Sequence, residues 1–213
     1  MPPPLVALTP GGLERTDCEE LLVRARSAVG AGLRGILLRE RGLFDRDFLS
    51  LARELRKLLG DDGWLGIHDR AHLLTASAGD ALHLGWWSLE PTTARALVGT
   101  RAPIGFSAHA DDPAGLRTGS DYLFLAPVAQ TRSHPTTDAV DWRPPLGVDG
   151  VADEVRRSDL PVWALGGVDV ESVGGLRRAG VRGIAVLGAI LGRDESGAVA
   201  GTEALLRAWE NAA

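Results

Sequence analysis

The chain lacks most of the features that mark secreted, membrane-bound or nucleic-acid-binding proteins. One cysteine, Cys18, stands in 213 residues. An intrachain disulfide is therefore excluded, and a cysteine-based metal site has no partner ligands. A lone thiol fits a reducing compartment, so a cytoplasmic protein is expected. No basic block is present; the formal net charge is −5 and both signs are spread along the chain. That distribution offers no footprint for nucleic acid or an anionic membrane. Apolar runs such as LFLAPV are strand-length and fall far short of a bilayer span. The opening MPPPLVALTP has neither a basic n-region nor an apolar h-region, and no signal peptide is expected. A glycine-rich dinucleotide fingerprint is also missing, because TPGGLE matches it poorly. Lysine is scarce in both halves and carries no reading of its own.

What is present is an ordinary globular composition, 45% apolar and 24% charged, with mean hydropathy near zero. Short apolar strands are predicted at 5–9, 35–40, 64–69, 81–85, 103–109, 122–128, 161–167 and 183–190. Helical patterns lie between them. The clearest are TDCEELLVRARSAVGAG and DRDFLSLARELRKLLG, the latter with Phe48, Leu51, Leu55 and Leu58 on one stripe. Thr16 and Glu19 have capping-box spacing, which makes Cys18 a small residue in a first helical turn. Weaker helices fit 70–79, 91–99, 111–119, 147–158 and 169–180, and a last one fits GTEALLRAWENAA.

Eight strands, each followed by a helical segment, predict a closed (β/α)8 barrel forming a single domain over 1–213. A doubly wound open sheet is the alternative. GAGLRGI and RAGVRGI both end a helix at glycine and enter a strand through Arg-Gly-Ile. They are expected to be equivalent αβ corners at the bottom of the barrel. The long connection 129–146 follows a strand's C-terminal end and is expected to be a lid.

Barrel active sites sit at the C-terminal ends of the strands. Read there, the candidates are Arg39 and Arg41 after strand two, Asp69 after strand three, and Trp86, Trp87 and Ser88 after strand four. Ser107 and His109 follow strand five; Thr131 and His134 lie in the long loop. Gly166 and Gly167 follow strand seven, and Gly188 ends strand eight. The glycines suit a phosphate approaching the backbone, and a ligand-free tight turn competes with that reading. Arg39 and Arg41 are able to clamp an anion, or alternatively pair with Glu40. Asp69 is a metal ligand or a helix cap. His83 reads as a satisfied barrel histidine. Two adjacent indoles after Gly85 belong to a loop; they line the pocket or simply cover the barrel.

In this order the segments LLRER, IHDRAHLL, LHLG, GFSAH, DYLFLAPVAQT and PVWALGGV…AGVRGIAVLGAI resemble the thiamine phosphate synthase/TenI family of (β/α)8 barrels. The synthases of that family join a pyrimidine methyl diphosphate to a thiazole phosphate and release diphosphate. The resemblance implies diphosphate contacts from Arg39 and Arg41, a magnesium-ligand role for Asp69, and ligand contacts from Ser107 and Thr131. It also implies thiazole-phosphate binding by Gly167 and the end of strand eight.

Several positions depart from the synthase pattern. The pyrimidine-reading Gln falls on Leu37, and the Asn before the metal-binding Asp falls on His68. The second magnesium carboxylate falls on Ser88, the lid Lys on His134, and a phosphate-site Ser on Gly188. TenI-type members also lack that carboxylate and often carry RER, but their tautomerase histidine falls here on Pro127. These departures favour a TenI-like tautomerase acting on a thiazole phosphate, with His134 or His109 as the proton-transfer group and magnesium at most weakly bound. A divergent synthase and a non-catalytic phosphate-binding barrel are the alternatives. In each case the partner is a small phosphorylated heteroaromatic molecule.

Overall fold

The structure, a computed structural model, describes residues 1–131 and 143–212. Eight strands form it: β1 Leu5–Leu8, β2 Gly35–Leu38, β3 Trp64–His68, β4 Ala81–Leu84, β5 Ile104–Ala108, β6 Tyr122–Leu125, β7 Val162–Leu165 and β8 Gly183–Val186. All pair in parallel in chain order, and β1 closes the barrel on β8 through Leu5↔Ile184. The described helices are α1 Cys18–Gly30, α2 Asp45–Leu59, α3 Pro91–Val98, α4 Gly147–Arg157, α5 Val170–Arg178 and α6 Glu195–Asn211.

Strand alternation splits the apolar residues into two cores. Leu5, Ala7, Ile36, Leu38, Leu65 and Ile67 face outward onto the helices. There they meet Phe48, Leu51 and Leu55 of α2, while Leu58 is only partly buried. Val6, Leu8, Leu37, Trp64, Tyr122, Phe124, Trp163 and Ala185 point into the barrel. This inner core is bulky. Tyr122 meets Trp64 and Trp163 edge-on, with ring centroids 6.4 and 5.7 Å apart. Glycines on the same inward positions make room. A Cβ on Gly66 would overlap Trp64, one on Gly105 would overlap Tyr122, and one on Gly183 would overlap Trp163. The Trp163 indole donates to the Pro3 carbonyl (2.8 Å), so the N-terminal prolines cover the bottom.

The two Arg-Gly-Ile corners are equivalent, as expected. Gly32 and Gly180 take positive φ, +108° and +92°. Leu33 N–H then bonds Ala28 O and Val181 N–H bonds Leu176 O in the same pattern. A second pairing was not expected. Arg56 of α2 binds the Gly60, Gly63 and Ala78 carbonyls and the Asp80 carboxylate, which accepts Leu65 N–H. Arg95 of α3 repeats this with Gly99, Ala102 and Asp121, which accepts Ile104 N–H. Each arginine ties a helix end to the strand that follows.

Some expected elements are shorter or shifted. Over 70–79 only a 3-10 turn, Ala71–Leu73, forms, and over 111–119 only Ala114–Arg117. Pro113, Gly115 and Gly119 deny the second segment a helix interior. Helix α6 begins before the expected GTEALLRAWENAA segment because Asp194 caps it, accepting Gly197 N–H (2.8 Å). The capping box near Cys18 uses Glu14 and Asp17, whose carboxylate accepts Glu14 N–H (2.8 Å), rather than Thr16 and Glu19. Strand β8 stops at Val186, so Gly188, Ala189 and Ile190 lie in a turn. Of the long connection, 132–142 lie outside the described residues, and with them His134. No described helix is long and apolar enough to cross a membrane.

Candidate active site

The β2 and β3 ends form a charged side of the mouth. Thr9, fully buried at the end of β1, accepts Arg39 N–H on its hydroxyl (2.8 Å) and so fixes the backbone that leaves β2. Glu40 is buried, and its carboxylate accepts the N–H groups of Gly11 (2.9 Å) and Leu13 (2.8 Å). It is spent on tying the β1 loop to β2 and leaves the arginines free of it. Gly11 has φ +96°, and a Cβ there would collide with the Arg39 guanidinium. The glycine thus lets the β1 loop close over that side chain. Burial, then the Arg41 charge, lowers the Arg39 pKa, and Asp69 and Glu40 oppose this. Arg70 is structural: it pairs with Asp45, donates to the Glu40, Arg41 and Leu43 carbonyls, and stacks 4.7 Å over Phe48.

Asp69 follows β3 in the left-handed region, φ +64°, which Asp tolerates better than most residues. Its N–H donates to His83 O (3.0 Å). Burial opposes ionisation of its carboxyl, but hydrogen bonds from His68 and Ser88, with the Arg41 charge, hold it at about 2. The His68 ring, 5% exposed, lies with Nδ1 3.2 Å from that carboxylate. Burial and the two arginines push its pKa below the ordinary value against the pull of Asp69, so the ring is neutral and donates Nδ1–H. Ser88 accepts Gly85 N–H (2.7 Å) while bonding Asp69. The hydroxyl therefore aims the aspartate.

Trp86 and Trp87 occupy the turn after β4, as expected of loop residues, and are 41% and 71% exposed. Neither indole is buried.

Below the mouth stands His83, with no exposed surface. Its Nε2 is 2.9 Å from Ser107 Oγ and its Nδ1 3.4 Å from the Tyr122 hydroxyl. Burial keeps its pKa well below the ordinary value. Reading it as a satisfied barrel histidine agrees with these contacts. His109 is held in its own loop: its N–H donates to Asp112 (2.7 Å), and its ring Nδ1 lies 3.5 Å from the same carboxylate.

The β7 and β8 ends form a side built mostly from backbone, with the Arg193 guanidinium donating to the Gly188 carbonyl (3.2 Å). Gly166 and Gly167 both take positive φ, +86° and +71°. A Cβ on Gly167 would sit 2.7 Å from the Ala129 carbonyl, and one on Gly166 3.3 Å from Thr131 Cγ2. Gly166 O also accepts Val128 and Ala129 N–H (both 2.9 Å). The glycine pair thus lets the β6 loop lie against β7, and it brings Thr131 to this side. Gly188 faces open space, with nothing near the position of an added Cβ. No described acceptor engages the N–H of Gly188 or Ala189.

The mouth therefore gathers Arg39, Arg41 and Asp69 on one side of β1, Gly166, Gly167, Gly188 and Thr131 on the other, and Ser107 above His83. Tyr122 and Thr9 were missed by sequence reasoning. The signal for Tyr122 was the inward register of β6, and that for Thr9 its place just past the end of β1, visible only once strand boundaries are known.

A closed (β/α)8 barrel with its polar residues at the strand C-terminal ends defines the class of barrel proteins that act on small molecules at that face. The particular family follows from comparison: the thiamine monophosphate synthase family matches residues 5–190, and the chain belongs to it. A putative thiamine-phosphate synthase of Geobacter sulfurreducens is 33% identical over 175 residues, covering 81% of this chain and 80% of that protein. The thiamine-phosphate synthase of Chloroflexus aurantiacus is 31% identical over 199 residues, covering 92% and 88%. The thiamine phosphate pyrophosphorylase structure from Pyrococcus furiosus superposes with TM-score 0.80 at 24% identity, covering 98% of this chain and 96% of that one. The expectation of an enzyme accords with relatives named as synthases.

Proposed function

We propose that the protein is a divergent thiamine phosphate synthase. The observation that carries this reading is the presence of two chemically different sides on one mouth. Arg39 and Arg41 make no ion pair with any described carboxylate, and the side across β1 offers the N–H groups of Gly188 and Ala189, which no described acceptor engages. Two guanidiniums suit a diphosphate by charge-assisted, bidentate bonds. A glycine turn suits a phosphate monoester through N–H groups. A reaction that joins two phosphorylated molecules uses both sides, whereas isomerising one thiazole phosphate uses only one. The relatives named as synthases support the same choice. The TenI-like tautomerase reading lacks the histidine that the resemblance places where Pro127 stands.

In the proposed reaction the C–O bond between the pyrimidine methylene and diphosphate breaks, and the electron pair leaves with the diphosphate. The thiazole ring nitrogen supplies the pair for the new C–N bond, giving thiamine phosphate. Arg39 and Arg41 neutralise the departing charge, the β7–β8 turns hold the thiazole phosphate, and Ser107 and Thr131 orient the two between them. The resemblance implies magnesium at Asp69, yet the donor set fits it poorly. Among the described residues no group of three or more His, Cys, Asp or Glu side chains converges. The Asp69 carboxylate is already bonded by His68 and Ser88. Magnesium is ordinarily held by one or two carboxylates together with substrate phosphates. One engaged carboxylate is a meagre share, and no step is assigned to the ion.

The test is to mix pyrimidine methyl diphosphate with thiazole phosphate, with magnesium or with a chelator, and to follow thiamine phosphate and diphosphate. Equal release of both is expected. Turnover of thiazole carboxylate phosphate to its tautomer, with no coupling of the two substrates, would overturn the reading.

A further inference from the structure

Three side chains rise in a line from the barrel interior to the mouth: Tyr122, His83 and Ser107. Their order follows from register. Tyr122 and His83 both lie opposite Gly105, and Ser107 sits two residues further along β5. The space left by Gly105 is filled by the Tyr122 ring and His83 Nδ1. Tyr122 is fully buried, and its only described hydrogen-bond partner is His83 Nδ1, at 3.4 Å. His83 Nε2 reaches Ser107 Oγ at 2.9 Å. Ser107 alone of the three is partly exposed.

We propose that Tyr122 and His83 are positioning residues that set the hydrogen-bond polarity of Ser107, so that its hydroxyl proton points into the mouth toward an acceptor-only anionic group. A neutral imidazole has one donor nitrogen and one acceptor nitrogen. Two arrangements are open. In the first, Tyr122 O–H donates to Nδ1, Nε2–H donates to Ser107 Oγ, and the serine proton is left for the mouth. In the second, Nδ1–H donates to Tyr122 and Ser107 donates down to Nε2. The tyrosine proton then has no acceptor in an apolar interior. A buried donor left unpaired costs roughly 1–3 kcal/mol, and orphaned donors are rarer than under-used acceptors. The first arrangement wins. Burial keeps the imidazole neutral, so one ring nitrogen carries a lone pair, and the buried tyrosine proton is what selects Nδ1 as that nitrogen.

The consequence is chemical selection. A serine whose oxygen already accepts from Nε2–H offers its proton outward, and an oxygen of a phosphate or diphosphate takes it. A ligand group that only donates can reach just the remaining lone pair of the serine oxygen and leaves the serine proton unused. This rests on the proposed reading that a phosphorylated ligand enters the mouth, but the polarity itself does not.

The full chain, labelled with 15N-histidine, gives the answer by long-range 1H–15N NMR, with the His83 signals assigned by their loss in His83→Gln. A single Nε2–H tautomer is expected in the wild type, and the Nδ1–H form is expected to appear in Tyr122→Phe. In calorimetry with inorganic diphosphate, Ser107→Ala is expected to weaken binding about tenfold. An Nδ1–H tautomer in the wild type overturns the relay whatever binds. An unchanged tautomer in Tyr122→Phe removes Tyr122 from it. Diphosphate bound equally by wild type and Ser107→Ala overturns the recognition step. Diphosphate that fails to bind the wild type overturns that step together with the synthase reading, and the tautomer tells the two failures apart.

Discussion

The two sides of the mouth solve one chemical problem in opposite ways. The β2–β3 side offers long charged side chains, Arg39 and Arg41, mounted on a backbone that Thr9 and Glu40 hold. The β7–β8 side is mostly backbone, with Arg193 on the Gly188 carbonyl, and its shape depends on Gly166 and Gly167 lying against the β6 loop. On the first side the binding groups are separable from the fold. On the second they are the fold. An arginine there can change with little effect on stability, whereas Gly167 cannot gain a methyl group without moving a neighbouring loop.

Gly167→Ala tests the difference most severely. The added Cβ meets the Ala129 carbonyl, and φ is +71°. A non-glycine residue forced into such a conformation costs roughly 1–3 kcal/mol before the collision is counted. Urea denaturation is expected to show at least that loss, and thiazole phosphate binding is expected to fall with it. Wild-type stability in this variant would break the contrast.

Arg39→Ala is the counterpart. Charge-assisted hydrogen bonds are worth about 1.5–3 kcal/mol, so diphosphate affinity is expected to fall roughly 10–100-fold. The urea midpoint should barely move, and the loss should shrink as salt screens the wild-type interaction. A large drop in stability without a change in diphosphate affinity would assign Arg39 to the fold.

His83, under both sides, gives a pH signature. Burial lowers its folded pKa well below the ordinary value. The unfolded chain therefore binds the extra proton first. The stability contribution is complete above about pH 6.5 and is lost as pH falls below it, by about 1.4 kcal/mol per pH unit while only the unfolded form is charged. Stability curves from pH 7.5 to 5 should flatten in His83→Gln; an identical slope would mean another group supplies it.

The smallest effect belongs to Trp87→Ala. With 71% of the residue exposed, the change in stability is expected to stay within about 0.5 kcal/mol. A larger loss in thermal unfolding would show that the indole packs in solution. Quenching of tryptophan fluorescence by thiazole phosphate, if lost in this variant, would place the ring against the ligand.

The barrel was legible in the sequence because strand alternation and segment count leave few alternatives. The strand-end rule also picked out Arg39, Arg41 and Asp69. What escaped was local. Residues 70–79 have a helical look, but Asp69 and Ala78 take positive φ and bracket a connection too short for a helix. Glycines in ESGAVAG disguise the start of α6, which depends on one Asp194 cap. Thr16 and Glu19 had the spacing of a box that Glu14 and Asp17 formed instead, because spacing alone does not say where the chain turns. Within the site, the line from Tyr122 to Ser107 depends on register between three strands, and no single stretch of sequence carries it.

The inward glycines also set a rule for how this sequence can drift. Gly105 exists beside Tyr122, and Gly183 beside Trp163, because one ring occupies the volume of two side chains. Neither member can change alone: a methyl group added at Gly105 clashes, and a shortened Tyr122 leaves a void. Mutational paths through the barrel interior must therefore step across strands in pairs. A library that randomises one strand at a time would find these positions frozen, while one that couples β5 to β6 and β7 to β8 would find them free to exchange bulk.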